Sequence, residues 1–202
     1  MIRSPFTLAA VLLAAILAGC AGTAGDVTVA VPPHVPTQKH DALSGIGPVA
    51  VAVPEFREQV GTGVLPGRIG ERKTLGNISL GKVSVTPLPG QIVANAFRSE
   101  LVAAGARVVP SGGEATINGT VKKFSMRTDV TATYWDVIGT TAVSVTAKRN
   151  GQAATSDYQA NCKDRTYVYP GSTIIGSVMH ACVNDLARQF RGDRRIAHVL
   201  GQ

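Results

Sequence analysis

The sequence predicts one α+β domain, an antiparallel sheet with two helices packed on one face. Three observations predict it. Val93, Phe97 and Leu101 recur at four-residue spacing between Pro89 and Gly105, the period of one helix face. Ile175, Val178, Met179, Cys182, Leu186 and Phe190 form a second helical stripe near the C-terminus. Between the two stripes lie alternating runs joined at Asn150-Gly151, a pair favoured in two-residue hairpin turns.

Each element follows in order. Pro48 to Phe56 sets Val49, Val51 and Val53 among alanines, which suits a strand buried on both faces. A glycine-rich stretch runs from Gly61 to Gly81, and Ile78, Leu80, Val83 and Val85 predict a hairpin turning at Gly81-Lys82. Pro89 opens the first helix, where its missing N–H costs nothing, and Gly105 stands where a left-handed cap closes it. Arg107–Val109 is a short strand. Ala115 to Met126 alternates around Ile117, Val121 and Phe124, and the change of parity after Val121 predicts a bulge. Thr131 to Lys148 sets Val143, Val145 and Ala147 against Ser144, Thr146 and Lys148. Gln152 to Val168 returns, with Tyr158, Ala160 and Cys162 on one face. Pro170-Gly171 breaks the chain, Ser172 is the expected N-cap of the last helix, and Gly192 ends it.

The chain before this domain is of a different kind. Arg3 precedes an apolar run from Phe6 to Leu17. That run is too short for a bilayer core, which needs about 20 residues, and has the length of a secretory signal. It ends in Leu17-Ala18-Gly19-Cys20. This tetrapeptide resembles the bacterial lipobox, where small residues admit a peptidase and the cysteine carries a diacylglyceryl group. The resemblance implies a signal peptide over residues 1–19, acyl chains such as palmitate on Cys20, and a membrane anchor through them. Ala21, rather than aspartate, after the cysteine implies the outer membrane by the same resemblance. Residues 20–46 then read as the lipidated cysteine and a flexible tether, with Pro32, Pro33 and Pro36 and little periodicity. Val27 to Val31 is the part of it able to dock as an edge strand. A single α+β domain is expected over residues 47–202.

Composition narrows the chemistry. Charged residues are 16% and aromatics 5% of 202, which excludes a disordered polar chain. The formal charge of +7 suits anionic headgroups or cell-wall carboxylates, and export argues against nucleic acid. Cys162 and Cys182 remain as an even pair in an oxidising compartment. Strand and helix place them for a disulfide, and two buried free thiols are the other reading. His34, His40, His180 and His198 are scattered without metal-ligand spacing, so neither metal nor cofactor is expected. Ser79-Leu-Gly-Lys82 has the spacing of a serine/lysine nucleophile pair, but it falls in an expected hairpin rather than at a helix start. No catalytic residue is assigned, and an enzyme is not expected.

Two surfaces stand as binding candidates. Tyr134 and Trp135 are neighbours on a strand, so their rings point to opposite faces. Trp135 is either a core residue or an interface anchor. Arg188, Arg191, Arg194 and Arg195 cluster near the C-terminus. They are either a solvated helix end or a contact for lipid phosphates or an acidic partner.

The order of features resembles the YajG-like lipoproteins. The resemblance rests on Leu17–Cys20, the strand Val49–Val53, the helix Gln91–Gly105, the passage Thr133-Tyr-Trp-Asp-Val-Ile138 and the terminal helix. It covers most of the chain after Cys20, and the Cys162/Cys182 pair departs from the family pattern. It implies an outer-membrane lipoprotein of α+β fold whose domain faces the periplasm and has no established activity. Such a protein is a non-enzymatic binding or structural component of the envelope, with an envelope protein as partner and an oligomeric state left open. The alternative is an auxiliary lipoprotein of an envelope export or lipid-trafficking complex, marked by an apolar cleft between helices and sheet.

Overall fold

The computed structural model describes residues 25–37, 42–59 and 65–201. Cys20, the signal segment, His40 and part of the glycine-rich stretch lie outside the described residues. In chain order the elements are β1 (Val27–Ala30), a 3-10 turn (Ala42–Gly45), β2 (Ala50–Ala52), β3 (Arg57–Glu58), β4 (Arg68–Lys73) and β5 (Ser79–Thr86). Then come α1 (Pro89–Ala103), β6 (Arg107–Val109), β7 (Ala115–Val130), β8 (Trp135–Arg149), β9 (Gln152–Thr166), α2 (Ser172–Arg191) and α3 (Arg194–Gly201). The class is α+β, as the periodicities imply.

β7, β8 and β9 form an antiparallel meander turning at Asn150-Gly151, both in the left-handed region. The register shifts between Val121 and Lys123, at the expected bulge. That shift keeps Phe124 and Met126 on the buried face with Ile117 and Val121. β8 contributes Val137, Thr141, Val143, Val145 and Ala147 to the same face, and β9 contributes Tyr158 and Ala160.

The far side of β7 departs from the antiparallel expectation. β2, β3 and β4 each pair with β7 in parallel, at Ala115–Thr116, Thr120–Val121 and Met126–Arg127. β5 is antiparallel to β4, while β1 on β5 and β6 on β2 are parallel. The sheet is therefore mixed. Apolar alternation reports which face is buried; it carries no information on strand direction.

Three further features are local. The hairpin between β4 and β5 turns at Thr74–Ile78, where the Thr74 and Asn77 N–H groups donate to Ile78 O and Thr74 O, both at 2.9 Å. Gly81 instead lies within β5 at φ +124°, and a Cβ there would overlap the Gly25 carbonyl oxygen. β1 stands at the edge of the sheet with Val29 fully buried, as the run Val27 to Val31 allows. The last helix begins at Ser172 with Gly171 as its cap, and α3 follows it. Asp193 caps α3, its Oδ1 accepting from the Arg195 and Ile196 N–H groups at 2.8 and 3.3 Å.

The helices lie on one face of the sheet. Phe97 of α1 stacks on Phe190 of α2 with centroids 4.3 Å apart, and Phe56 and Tyr158 meet Phe97 edge-on. Cys162 and Cys182 form a disulfide between β9 and α2 with Cα atoms 5.5 Å apart.

Candidate anchoring and binding surfaces

The strand directions define two ends of the molecule. β1 and β5 begin, and β4 and β7 finish, at the same end, because β1 is parallel to β5, β5 antiparallel to β4, and β4 parallel to β7. β8 starts there, and β9 finishes there before α2. The opposite end holds the Asn150-Gly151 turn, β6 and the C-terminus of α2.

At the first end the chain is clamped where β1 begins. The Gly25 N–H donates to Leu80 O at 2.8 Å, and the Lys82 N–H donates to Asp26 Oδ1 at 2.8 Å. Arg72 is buried and donates to the carbonyls of Gly25, Leu80 and Pro170. Its guanidinium lies 4.7 Å from the centre of the Tyr169 ring, and Tyr169 meets Trp135 edge-on at 6.3 Å. Arg72 Nε and Trp135 Nε1 are buried and meet no acceptor among the described residues. Burial pushes the Tyr169 phenol up, opposed by Arg72.

Tyr134 and Trp135 do point to opposite faces. Trp135 lies on the helix side, half-buried. Tyr134 lies on the open side under Arg165, whose guanidinium is 3.7 Å from the ring centre. Arg165 also donates to both oxygens of Asp136, at 2.8 and 3.2 Å, and Lys163 sits 2.7 Å from Asp136 Oδ2. Hydrogen bonds from Arg165, then Lys163, pull the Asp136 carboxyl down to about 2. The exposed apolar side chains Leu75, Ile78, Tyr167 and Val168 surround this end, between 65% and 73% accessible.

The opposite end holds the basic residues, and the structure separates them. Arg191 is buried, with its Nη1 3.4 Å from Glu100 Oε1. Arg188 pairs with Asp185 at 2.7 Å. Arg195 donates to Ser156 Oγ at 3.0 Å, and Arg194 is exposed. Only part of the sequence cluster is therefore surface.

Arg191 belongs to a polar junction that no local pattern announces. The Glu100 side chain has no accessible surface, and its Oε1 accepts from His34 Nε2 at 2.6 Å. His180 Nδ1 faces Pro32 O at 2.9 Å and donates to it, so its Nε2 is the acceptor for Asn184 Nδ2 at 2.9 Å. Asn184 Oδ1 then faces His34 Nδ1 at 2.7 Å. Both His34 nitrogens thus meet acceptors, the arrangement that suits an imidazolium. The Glu100 hydrogen bond raises the His34 pKa above its ordinary value, against the opposing effect of burial. The junction ties the segment after β1 to α1 and α2. His34 and Glu100 are 66 residues apart, which is why spacing could not find them.

Ser79 begins β5 and its Oγ accepts from the Gly81 N–H at 3.4 Å. Three residues along a strand are about 10 Å, so Ser79 and Lys82 lack the one-turn proximity that a helix gives a nucleophile pair.

No family model and no curated protein matches the sequence. Solved structures do. Protein XCC0632 from Xanthomonas campestris, described under the family model DUF330, matches with a TM-score of 0.56 at 10% identity, over 85% of this chain and 96% of that one. A PelC dodecamer from Paraburkholderia phytofirmans matches at 0.33 and 13% identity, over 78% and 93%. Lipoprotein GNA1162 from Neisseria meningitidis matches at 0.33 and 15% identity, over 70% and 99%. The first of these shows a shared fold.

Proposed function

We propose that this chain is an outer-membrane lipoprotein, similar to the YajG-like proteins, anchored through acylated Cys20 with its domain in the periplasm. It acts without catalysis, holding an acidic envelope component at the end of the domain remote from the lipid. The observation that carries this reading is polarity of layout: the chain leaves Cys20 and is clamped at Gly25 at one end, while Arg188, Arg194 and Arg195 are exposed at the other. Arg195 meets Ser156, which lies level with Gly119 of β7, 11 residues before Val130, so the basic residues stand roughly 35 Å from the clamped end and face away from the anchoring bilayer. Arginine forks there suit carboxylates of a protein or of the cell wall.

The alternative, an auxiliary role in an export or lipid-trafficking complex marked by an apolar cleft between helices and sheet, finds no support in the packing. The space where an acyl chain would lie, between helices and sheet, is filled by Phe56, Phe97, Tyr158 and Phe190.

The test is crosslinking in intact cells followed by intact-mass analysis of the extracted protein. Loss of residues 1–19, added acyl chains on Cys20 and a partner whose recovery falls in the Arg194→Glu/Arg195→Glu variant are expected. A lipidated protein that crosslinks to nothing in the envelope overturns the holding role.

A further inference from the structure

We infer that the end of the sheet bearing Leu75, Ile78, Tyr167 and Val168 rests in the surface of the bilayer that holds the lipid anchor. The inference rests on lipidation of Cys20. Five peptide units separate Cys20 from Gly25, which is fixed to Leu80 and Arg72. Whatever their conformation, they reach at most about 18 Å. The clamped end therefore stays within that distance of the headgroups.

The side chains displayed there match the environment. Leu75 and Ile78 stand on the β4–β5 turn, and Tyr167 and Val168 follow β9. These four are among the most exposed large apolar residues of the described chain. They stand on two different segments that the strand pairing brings to one end. Aliphatic side chains beside a tyrosine suit the interfacial zone, where an amphipathic ring sits at headgroup level. Of the charges nearby, Arg127 pairs with Asp129, and Asp136 meets both Lys163 and Arg165, which leaves one positive charge in excess. That excess is small, so the contact is mainly apolar, with a minor contribution from anionic lipid. The contact need not be strong, because the anchor makes it intramolecular at an effective concentration of order mM. It would hold the sheet upright and point Arg194 and Arg195 away from the membrane.

The experiment uses the full lipidated chain in vesicles of phosphatidylethanolamine and phosphatidylglycerol, with or without brominated acyl chains that quench nearby indoles. Ile78→Trp and Tyr167→Trp report the proposed face. Val102→Trp, exposed at the C-terminal turn of α1, reports the opposite end. Trp135 is common to all and subtracts. Quenching several-fold greater at positions 78 and 167 than at 102 is expected. Equal quenching at all three positions, or none at 78 and 167, in protein whose mass shows acyl chains overturns the inference while leaving lipidation intact. Blue-shifted but unquenched emission at 78 and 167 also overturns it, and points to a second copy of the chain on that face. A mass without acyl chains removes the lipoprotein reading and this inference with it.

Discussion

Glu100→Gln probes the junction that fastens the segment after β1 to the helices. The substitution keeps the shape and one acceptor oxygen but removes the negative charge. Glu100 is fully buried between His34 at 2.6 Å and Arg191 at 3.4 Å, and the Arg191 side chain is only 9% accessible. Its guanidinium would lose a buried counter-charge, and removing one member of a buried pair costs about 3–5 kcal/mol. The surviving hydrogen bond places the expectation near the lower figure, about 3 kcal/mol. Urea unfolding of the unlipidated Cys20→Ser protein, with the disulfide intact, reads this as a lower midpoint at unchanged slope. Adding Arg191→Met removes the cation that faces Glu100, so the double variant should lose less than the sum of the singles. The pH dependence has a definite sign. His34 has its folded pKa raised above the ordinary value, so its stabilisation is complete below about 6.5 and is lost as pH rises through the folded value. Glu100→Gln removes the main cause of that elevation and should flatten the corresponding slope. A loss under about 1 kcal/mol, strict additivity with Arg191→Met, or an unchanged slope would refute the reasoning.

Two further outcomes follow from the fold. The Cys162–Cys182 bridge closes a separation of 20 residues, and the chain-entropy relation gives about 3 kcal/mol for such a loop. Cys162→Ala/Cys182→Ala should therefore unfold at markedly lower urea, and reduction of the parent should reproduce most of the shift. Gly119 lies under the Phe56 ring, which an added Cβ would overlap. Gly119→Ala should cost about 1–3 kcal/mol through displacement of Phe56 and its edge contact with Phe97. A near-neutral result by thermal unfolding would mean that the ring has room to move.

Local signals made much of the architecture legible. The helical stripes at Val93–Leu101 and Ile175–Phe190, the Asn150-Gly151 turn and the bulge after Val121 all depend on residues within a few positions of each other. Cys162 and Cys182 could be paired because each element's buried face was readable. α3 had a readable signal too: Asp193 as a cap, then Ile196, Val199 and Leu200 at helical spacing. The turn lies at Thr74–Ile78 rather than at Gly81-Lys82, because Gly81 serves to admit the Gly25 carbonyl and not to turn the chain.

The α+β class, the sidedness of the long strands and the lipobox resemblance are legible along the chain, since each is written in a short window of side chains. The parallel pairings on β7, the choice of β5 as the partner of β1, and the meeting of His34 with Glu100 and Arg191 arise only in the packed molecule. So does the placing of Leu75, Ile78, Tyr167 and Val168 at one end with Gly25 and of the arginines towards the other. These are long-range choices of strand direction and partner, and periodicity along the chain does not encode them.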